Sequence, residues 1–115
     1  MQRGSWLVFV LALAGSGCAS SLSGAVGELD AGRLPEADQR FRVLEPDFAG
    51  FSHRDRARYA LYRGLTHLAL GDAREADRWL GAVKRADDRD RAGLDAAERG
   101  RLLAAWRSLG HMPGE

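Results

Sequence analysis

Apolar residues recur at helical spacing through most of this chain. Leu61, Leu65 and Leu68 stand at i, i+4 and i+7, which places their side chains on one side of a helix. Four other segments carry stripes of the same kind: Leu22, Val26 and Leu29; Ala37, Phe41 and Leu44; Ala76, Trp79, Leu80 and Val83; and Leu102, Leu103, Trp106 and Leu109. The pattern predicts an all-α protein of about five helices.

Three glycines divide these stripes at equal intervals. Gly32, Gly71 and Gly110 are spaced 39 residues apart, and the segment GRLPEADQRF after Gly32 aligns with GDAREADRWL after Gly71. Glycine often ends a helix because it adopts the left-handed backbone conformation without steric cost. The spacing therefore predicts a repeat of antiparallel helical hairpins, whose third copy is cut short.

Local capping signals support these helices. A polar residue followed three positions later by an acidic one typically begins a helix. Three such pairs occur: Ser52 and Asp55, Asp72 and Glu75, and Asp95 and Glu98. Gly64 lies within a predicted helix, where it lowers helix propensity by about 1 kcal/mol relative to alanine. We expect Ala76 of the next helix to pack against it.

The second copy of the repeat resembles the tetratricopeptide repeat. The matching positions are Gly64, His67, Gly71, Ala76, Leu80 and Val83. The resemblance implies a short solenoid of stacked hairpins over residues 22–110, followed by a tail at residues 111–115. Because that family repeats every ~34 residues, the extra residues are expected in two loops, Pro46–Asp55 and Asp87–Asp95.

The first 17 residues have the layout of an export signal. Arg3 precedes the apolar run WLVFVLALA, Trp6–Ala14, and small residues follow it. As a helix, this run would span only ~14 Å, whereas the hydrocarbon core of a bilayer is ~30 Å thick. We therefore predict a signal peptide at residues 1–17 rather than a lasting transmembrane helix.

Cys18 is the single cysteine of the chain, at the end of the segment AGSGC. This segment resembles the lipobox of bacterial lipoproteins. The resemblance implies cleavage before Cys18, lipid attachment to its thiol and a tether at residues 18–21. Ala19, in place of an aspartate, favours the outer membrane, with the domain facing the periplasm. The alternative is ordinary signal peptidase acting after Ala19, which would release a soluble periplasmic protein.

The charge balance argues against a nucleic-acid partner. The chain has 17 basic and 16 acidic residues, and removal of residues 1–17 leaves 98 residues with 16 of each. The three histidines are scattered, so we predict neither a metal site nor a cofactor. We expect His67 to pack between helices or to reach a carboxylate. No serine has the setting of a nucleophile, so we predict no enzymatic activity; a small envelope hydrolase is the competing class.

The segment HRDRARYALYR is the most basic stretch of the body. Aromatic and arginine side chains are enriched at protein interfaces. The candidate partner-binding residues on one side of this helix are Arg56, Arg58, Tyr59, Tyr62 and Arg63. The alternative is an ordinary hydrated face. The resemblance to lipoproteins that carry helical-repeat domains implies an adaptor of a cell-envelope assembly, and we expect a partner protein or a second copy to cover its exposed apolar flank.

Overall fold

The computed structural model describes residues 21–112 and residue 114, and the regular secondary structure of this part is entirely helical. Its α-helices are α1 (residues 21–30), α2 (Leu34–Leu44), α3 (His53–Ala69), α4 (Ala73–Arg89) and α5 (Ala96–Ser108). Two 3₁₀ helices, Glu45–Gly50 and Arg91–Gly93, precede α3 and α5. The predicted all-α fold is confirmed. The predicted signal peptide and Cys18 lie outside the described residues.

The three equally spaced glycines end α1, α3 and α5 in the same way. Gly32, Gly71 and Gly110 have φ values of 78°, 82° and 91°. After α3, the Gly71 N–H donates to the Leu68 carbonyl at 3.1 Å, and the next N–H donates to the carbonyl five residues before it at 2.9 Å. The other two glycines make the equivalent pair of bonds. This is the Schellman arrangement, which satisfies carbonyls at a helix end.

The predicted caps begin three of the helices. The Ser52 hydroxyl accepts the Asp55 N–H at 3.1 Å, and the Asp72 carboxylate accepts the Glu75 N–H at 3.3 Å. The cap of α5 is a full capping box. The Asp95 side chain accepts the Glu98 N–H, and the Glu98 side chain accepts the Asp95 N–H. Helix α2 has no side-chain cap and instead carries a proline in its first turn.

Helix α3 is the centre of the packing, because it contacts α2, α4 and α5. Helix α3 lies close to α4 at Gly64. A Cβ atom added there would lie 2.6 Å from Cγ and 2.7 Å from Cδ2 of Leu80. The three nearest atoms to this Cβ all belong to Leu80, one turn further along α4 than Ala76, which we expected here. Ala76 is fully buried in the same core.

The core contains an aromatic cluster between α2, α3 and α4. Tyr59 lies at its centre, with its ring centroid 5.5 Å from that of Phe41 and 5.5 Å from that of Trp79. Phe48 and Phe51, from the segment between α2 and α3, pack on the same ring. The first predicted loop is therefore largely structured, since it forms a 3₁₀ helix that completes the core.

The second predicted loop is shorter than the sequence led us to expect. Helix α4 continues to Arg89, so the acidic pair Asp87 and Asp88 lies within the helix. Asp87 is buried and receives bonds from Nε and Nη2 of Arg99 at 3.0 and 3.1 Å. We expected a loop from Asp87 onward. That expectation is wrong at Asp87, which lies in α4 and pairs with Arg99 of α5.

Candidate functional site

The five residues of the predicted basic patch differ in their exposure to solvent. Arg56 is exposed, Arg58 is partly buried, and Tyr59, Tyr62 and Arg63 are buried. Tyr59 has no exposed surface, and its hydroxyl donates to the Phe41 carbonyl at 2.6 Å. The expectation that these side chains share one exposed side of α3 is therefore wrong, because α3 is covered by neighbouring helices on more than one side.

Arg63 forms a buried link between α3 and the first 3₁₀ helix. Its Nη1 pairs with the Glu45 carboxylate and donates to the Tyr59 hydroxyl at 2.7 Å. Its guanidinium lies 4.7 Å from the centroid of the Trp79 ring. The hydrogen bond from Arg63 lowers the pKa of Glu45 below its ordinary value, while burial raises the pKa of Tyr59. These contacts give Arg63 a structural role.

Glu98 forms a second buried link, between α3 and α5. Its Oε1 accepts Arg54 Nη1 at 3.2 Å, and its Oε2 accepts Arg58 Nε and the Tyr62 hydroxyl, each at 3.2 Å. Only 5% of Glu98 is exposed. Burial raises the pKa of Tyr62, and the nearby Glu98 carboxylate acts in the same direction. Sequence reasoning found Glu98 only as a capping residue, since its partners lie 36 to 44 positions away.

A groove remains open beside these links, between the start of α3 and the end of α4. Its volume is about 310 Å³. Nine residues line it: Phe48, His53, Arg56, Ala57, Ala60, Ala82, Val83, Ala86 and Arg89. Helix α2 has 11 residues whereas α3 and α4 have 17 each, and α2 contributes no lining residue. The groove is therefore formed by α3, α4 and Phe48 of the first 3₁₀ helix.

One wall of the groove is held in place by the second 3₁₀ helix. Arg54 Nη1 donates to the Gly93 carbonyl at 3.1 Å. A Cβ atom on Gly93 would lie 2.8 Å from Cβ of Ala57 and 3.3 Å from Nε2 of His53. The same His53 nitrogen lies 3.5 Å from the Asp90 carboxylate. Gly93 thus allows this turn to contact α3 next to the groove.

The rim of the groove is positively charged. Arg56 lies on the α3 wall and Arg89 on the α4 wall, and both are exposed. Within the part of the chain that the structure describes, neither guanidinium has an ion-pair partner. Arg54 and Arg58, on the same helix as Arg56, pair with the Glu98 carboxylate instead. Two positive charges without an ion-pair partner among the described residues therefore lie at the groove, and the Asp90 carboxylate lies beside it, 3.5 Å from Nε2 of the lining residue His53.

Two of the three histidines, His67 and His111, occupy structural positions. His67 is buried, and its Nδ1 lies 3.7 Å from the Asp72 carboxylate, as the sequence led us to expect. His111 bonds to Asp77 and stacks on Trp106 with 3.8 Å between ring centroids, so the start of the predicted tail contacts the body. Among the described residues, no group of three histidine, cysteine or acidic side chains is arranged to hold a metal ion.

The described helices include none that is both long and apolar enough to cross a bilayer. Comparison of the chain with protein-family models, with curated proteins and with solved structures found no match. The function must therefore be argued from the residues of this chain, and the groove is the candidate site.

Proposed function

We propose that this chain is a bacterial lipoprotein, anchored through Cys18 in the outer membrane and facing the periplasm, that binds another protein as an adaptor of a cell-envelope assembly. The apolar run before the AGSGC segment supports the anchor. The helical domain supports a binding role, because its helices leave an open groove on a rigid framework.

The finer fold that we propose is a short solenoid of the tetratricopeptide type. Its support is the equivalence of the two copies: Ala37 and Ala76 are both fully buried, as are Phe41 and Leu80. The hydrogen bonds after Gly32 and Gly71 are also equivalent. In addition, α5 contacts both α3 and α4, as the first helix of a third hairpin would.

The groove is the observation that carries the binding role. Its floor contains methyl groups of four alanines together with Val83 and Phe48, and its rim carries two arginines. Such a surface attracts apolar side chains and negative charge. The charged groups nearby, Glu98 and Arg63, are already held in internal ion pairs. Docking of a partner segment therefore needs no change in the packing of the helices.

The position of the domain follows from the anchor. Ser21 already lies in α1, three residues after Cys18. An extended chain spans at most ~3.5 Å per residue, so α1 would begin within ~11 Å of the lipidated residue. An adaptor of this kind would bind partners close to the membrane surface.

The experiment for the anchor is the intact mass of the membrane-extracted protein, compared with that of a Cys18→Ser variant. We expect a mature chain that begins at a lipid-modified Cys18, and we expect the variant to lose the lipid mass. A soluble mature form beginning at Ser20 would contradict the anchor and support ordinary signal peptidase.

The experiment for the binding role is affinity capture of the full protein from detergent-solubilised envelopes. We expect a partner at a stoichiometric level, with the uncoated matrix as control. Recovery of neither a partner nor a second copy would contradict the adaptor role. Turnover of ester or peptidoglycan substrates by the purified chain would support a hydrolase instead.

A further inference from the structure

We propose that the groove binds an acidic amphipathic helix of the partner protein, whose apolar side chains enter the groove and whose carboxylates pair with Arg56 and Arg89. The inference rests on the proposed binding function and names the chemistry of the segment that is bound. It depends on three features of the groove: its size, the short side chains of its floor, and the charge on its two walls.

The size and openness of the groove suit side chains of a second protein. A volume of about 310 Å³ is at the lower limit of small-molecule pockets, which span roughly 300 to 1,000 Å³. The groove is partly open to solvent rather than enclosed. A partner helix presents side chains at i and i+4 on one face, ~5–6 Å apart, and can insert them side by side.

The floor owes its depth to small residues on the facing helices. Ala57 and Ala60 come from α3, and Ala82 and Ala86 come from α4. Ala57 and Ala86 are half-buried and both line the groove, and Ala57 also packs against the core. A longer side chain at Ala86 would project into the volume that the partner needs.

The charge of the walls selects an acidic partner. Arg56 and Arg89 lie on opposite walls, and neither has an ion-pair partner in the described part of the chain. A guanidinium binds a carboxylate through two parallel N–H donors, which also orients the bound segment. Acidic residues on both sides of an apolar stripe would therefore meet one arginine on each wall.

The test uses the full chain in detergent and two labelled synthetic helical peptides. The first has leucines at i and i+4 flanked by glutamates, and the second has lysines in place of the glutamates. We expect the acidic peptide to bind, the lysine peptide to bind at least tenfold more weakly, and the affinity for the acidic peptide to fall as salt is added.

Two pairs of variants locate the binding. Arg56→Gln with Arg89→Gln should weaken binding of the acidic peptide by roughly three- to tenfold. The control, Arg74→Gln with Arg85→Gln, removes the same charge from exposed positions of α4 outside the groove and should leave the affinity unchanged. Circular dichroism should show the same helix content in both double variants.

The second pair tests the shape of the groove. Ala86→Leu should abolish binding, since leucine keeps the helix propensity of α4 and fills the groove. Ala104→Leu, at an exposed site of α5, should not change it. Equal binding of both peptides, or equal effects of each variant and its control, would overturn the inference.

Three outcomes distinguish binding of an acidic helix from binding of a membrane, and distinguish failure of this inference from failure of the proposed function. If vesicles of anionic phospholipid bind through Arg56 and Arg89 while the acidic peptide does not bind, the inference is wrong. If the chain captures an envelope partner that Ala86→Leu still binds, the adaptor role stands and the groove is not its site. If the peptide binds but no lipid is found on Cys18, only the anchor fails.

Discussion

Replacement of Gly64 by alanine tests a close contact between α3 and α4. A Cβ atom at this position would lie 2.6 Å from Leu80 Cγ, whereas ordinary contacts of this kind are 3.4–4 Å. Leu80 would have to move by about 1 Å, although it is fully buried and protein interiors have little free volume. We therefore expect Gly64→Ala to destabilise the protein.

The magnitude follows from two opposing effects. Alanine should stabilise the helix by about 1 kcal/mol, because glycine loses more conformational freedom on folding. Overpacking of a well-filled core costs about 1–3 kcal/mol. Since the contact involves Cγ, Cδ2 and the backbone nitrogen of Leu80, we place this cost near 2–3 kcal/mol. The net loss should be about 1–2 kcal/mol, which lowers Tm by about 4–16 °C.

Gly100→Ala is the matched control, since Gly100 lies within α5 with no atom within 4 Å of a built Cβ. It should stabilise the protein by about 0.5–1 kcal/mol. The assay is urea unfolding followed by circular dichroism at constant detergent concentration. In a Leu80→Ala background the cost of Gly64→Ala should largely disappear. Equal stabilisation by Gly64→Ala and Gly100→Ala would refute the reasoning.

Two further predictions concern the ion pairs of Glu98, which is buried, and of Glu45, whose side chain is 48% exposed. Glu98→Gln keeps the cap of α5 but removes the charge that Arg58 and Tyr62 contact, so urea unfolding should show a loss of about 2 kcal/mol; a loss below about 0.5 kcal/mol would contradict this. Because Arg63 lowers the pKa of Glu45, that pair stabilises the protein above pH 4.5 and the stabilisation is lost as the pH falls through the folded-state pKa. The urea midpoint should therefore fall more steeply in acid for the native chain than for Glu45→Gln, and parallel curves would contradict the role of the pair.

The helices and their ends could be predicted from the sequence because they depend on nearby residues. The N–H of a glycine that ends a helix donates to the carbonyl three positions before it, and the N–H of the next residue donates to the carbonyl five positions before itself, as at Gly32, Gly71 and Gly110. A cap such as that of Ser52 bonds to an N–H three positions later. These interactions are specified within one turn, so a repeat of 39 residues was sufficient to place the hairpins.

The same local logic was wrong at Tyr59, Tyr62 and Arg63. Helical periodicity assigns residues to a side of α3, but it does not say how many sides are covered. Helices α2, α4 and α5 all contact α3, so polar residues that a two-layer packing would leave exposed became buried. Their hydroxyl and guanidinium groups then required partners, which they found in Phe41, Glu98 and Glu45.

By itself, the sequence determined the helical class, the turns, the caps and the apolar faces of the helices, together with the expectation of a lipid anchor at Cys18. The tertiary structure alone decided which arginines pair with which carboxylates, and where a groove remains. The physical reason is distance along the chain: Glu98 meets its α3 partners across 36 to 44 residues, and the residues that line the groove extend from Phe48 to Arg89.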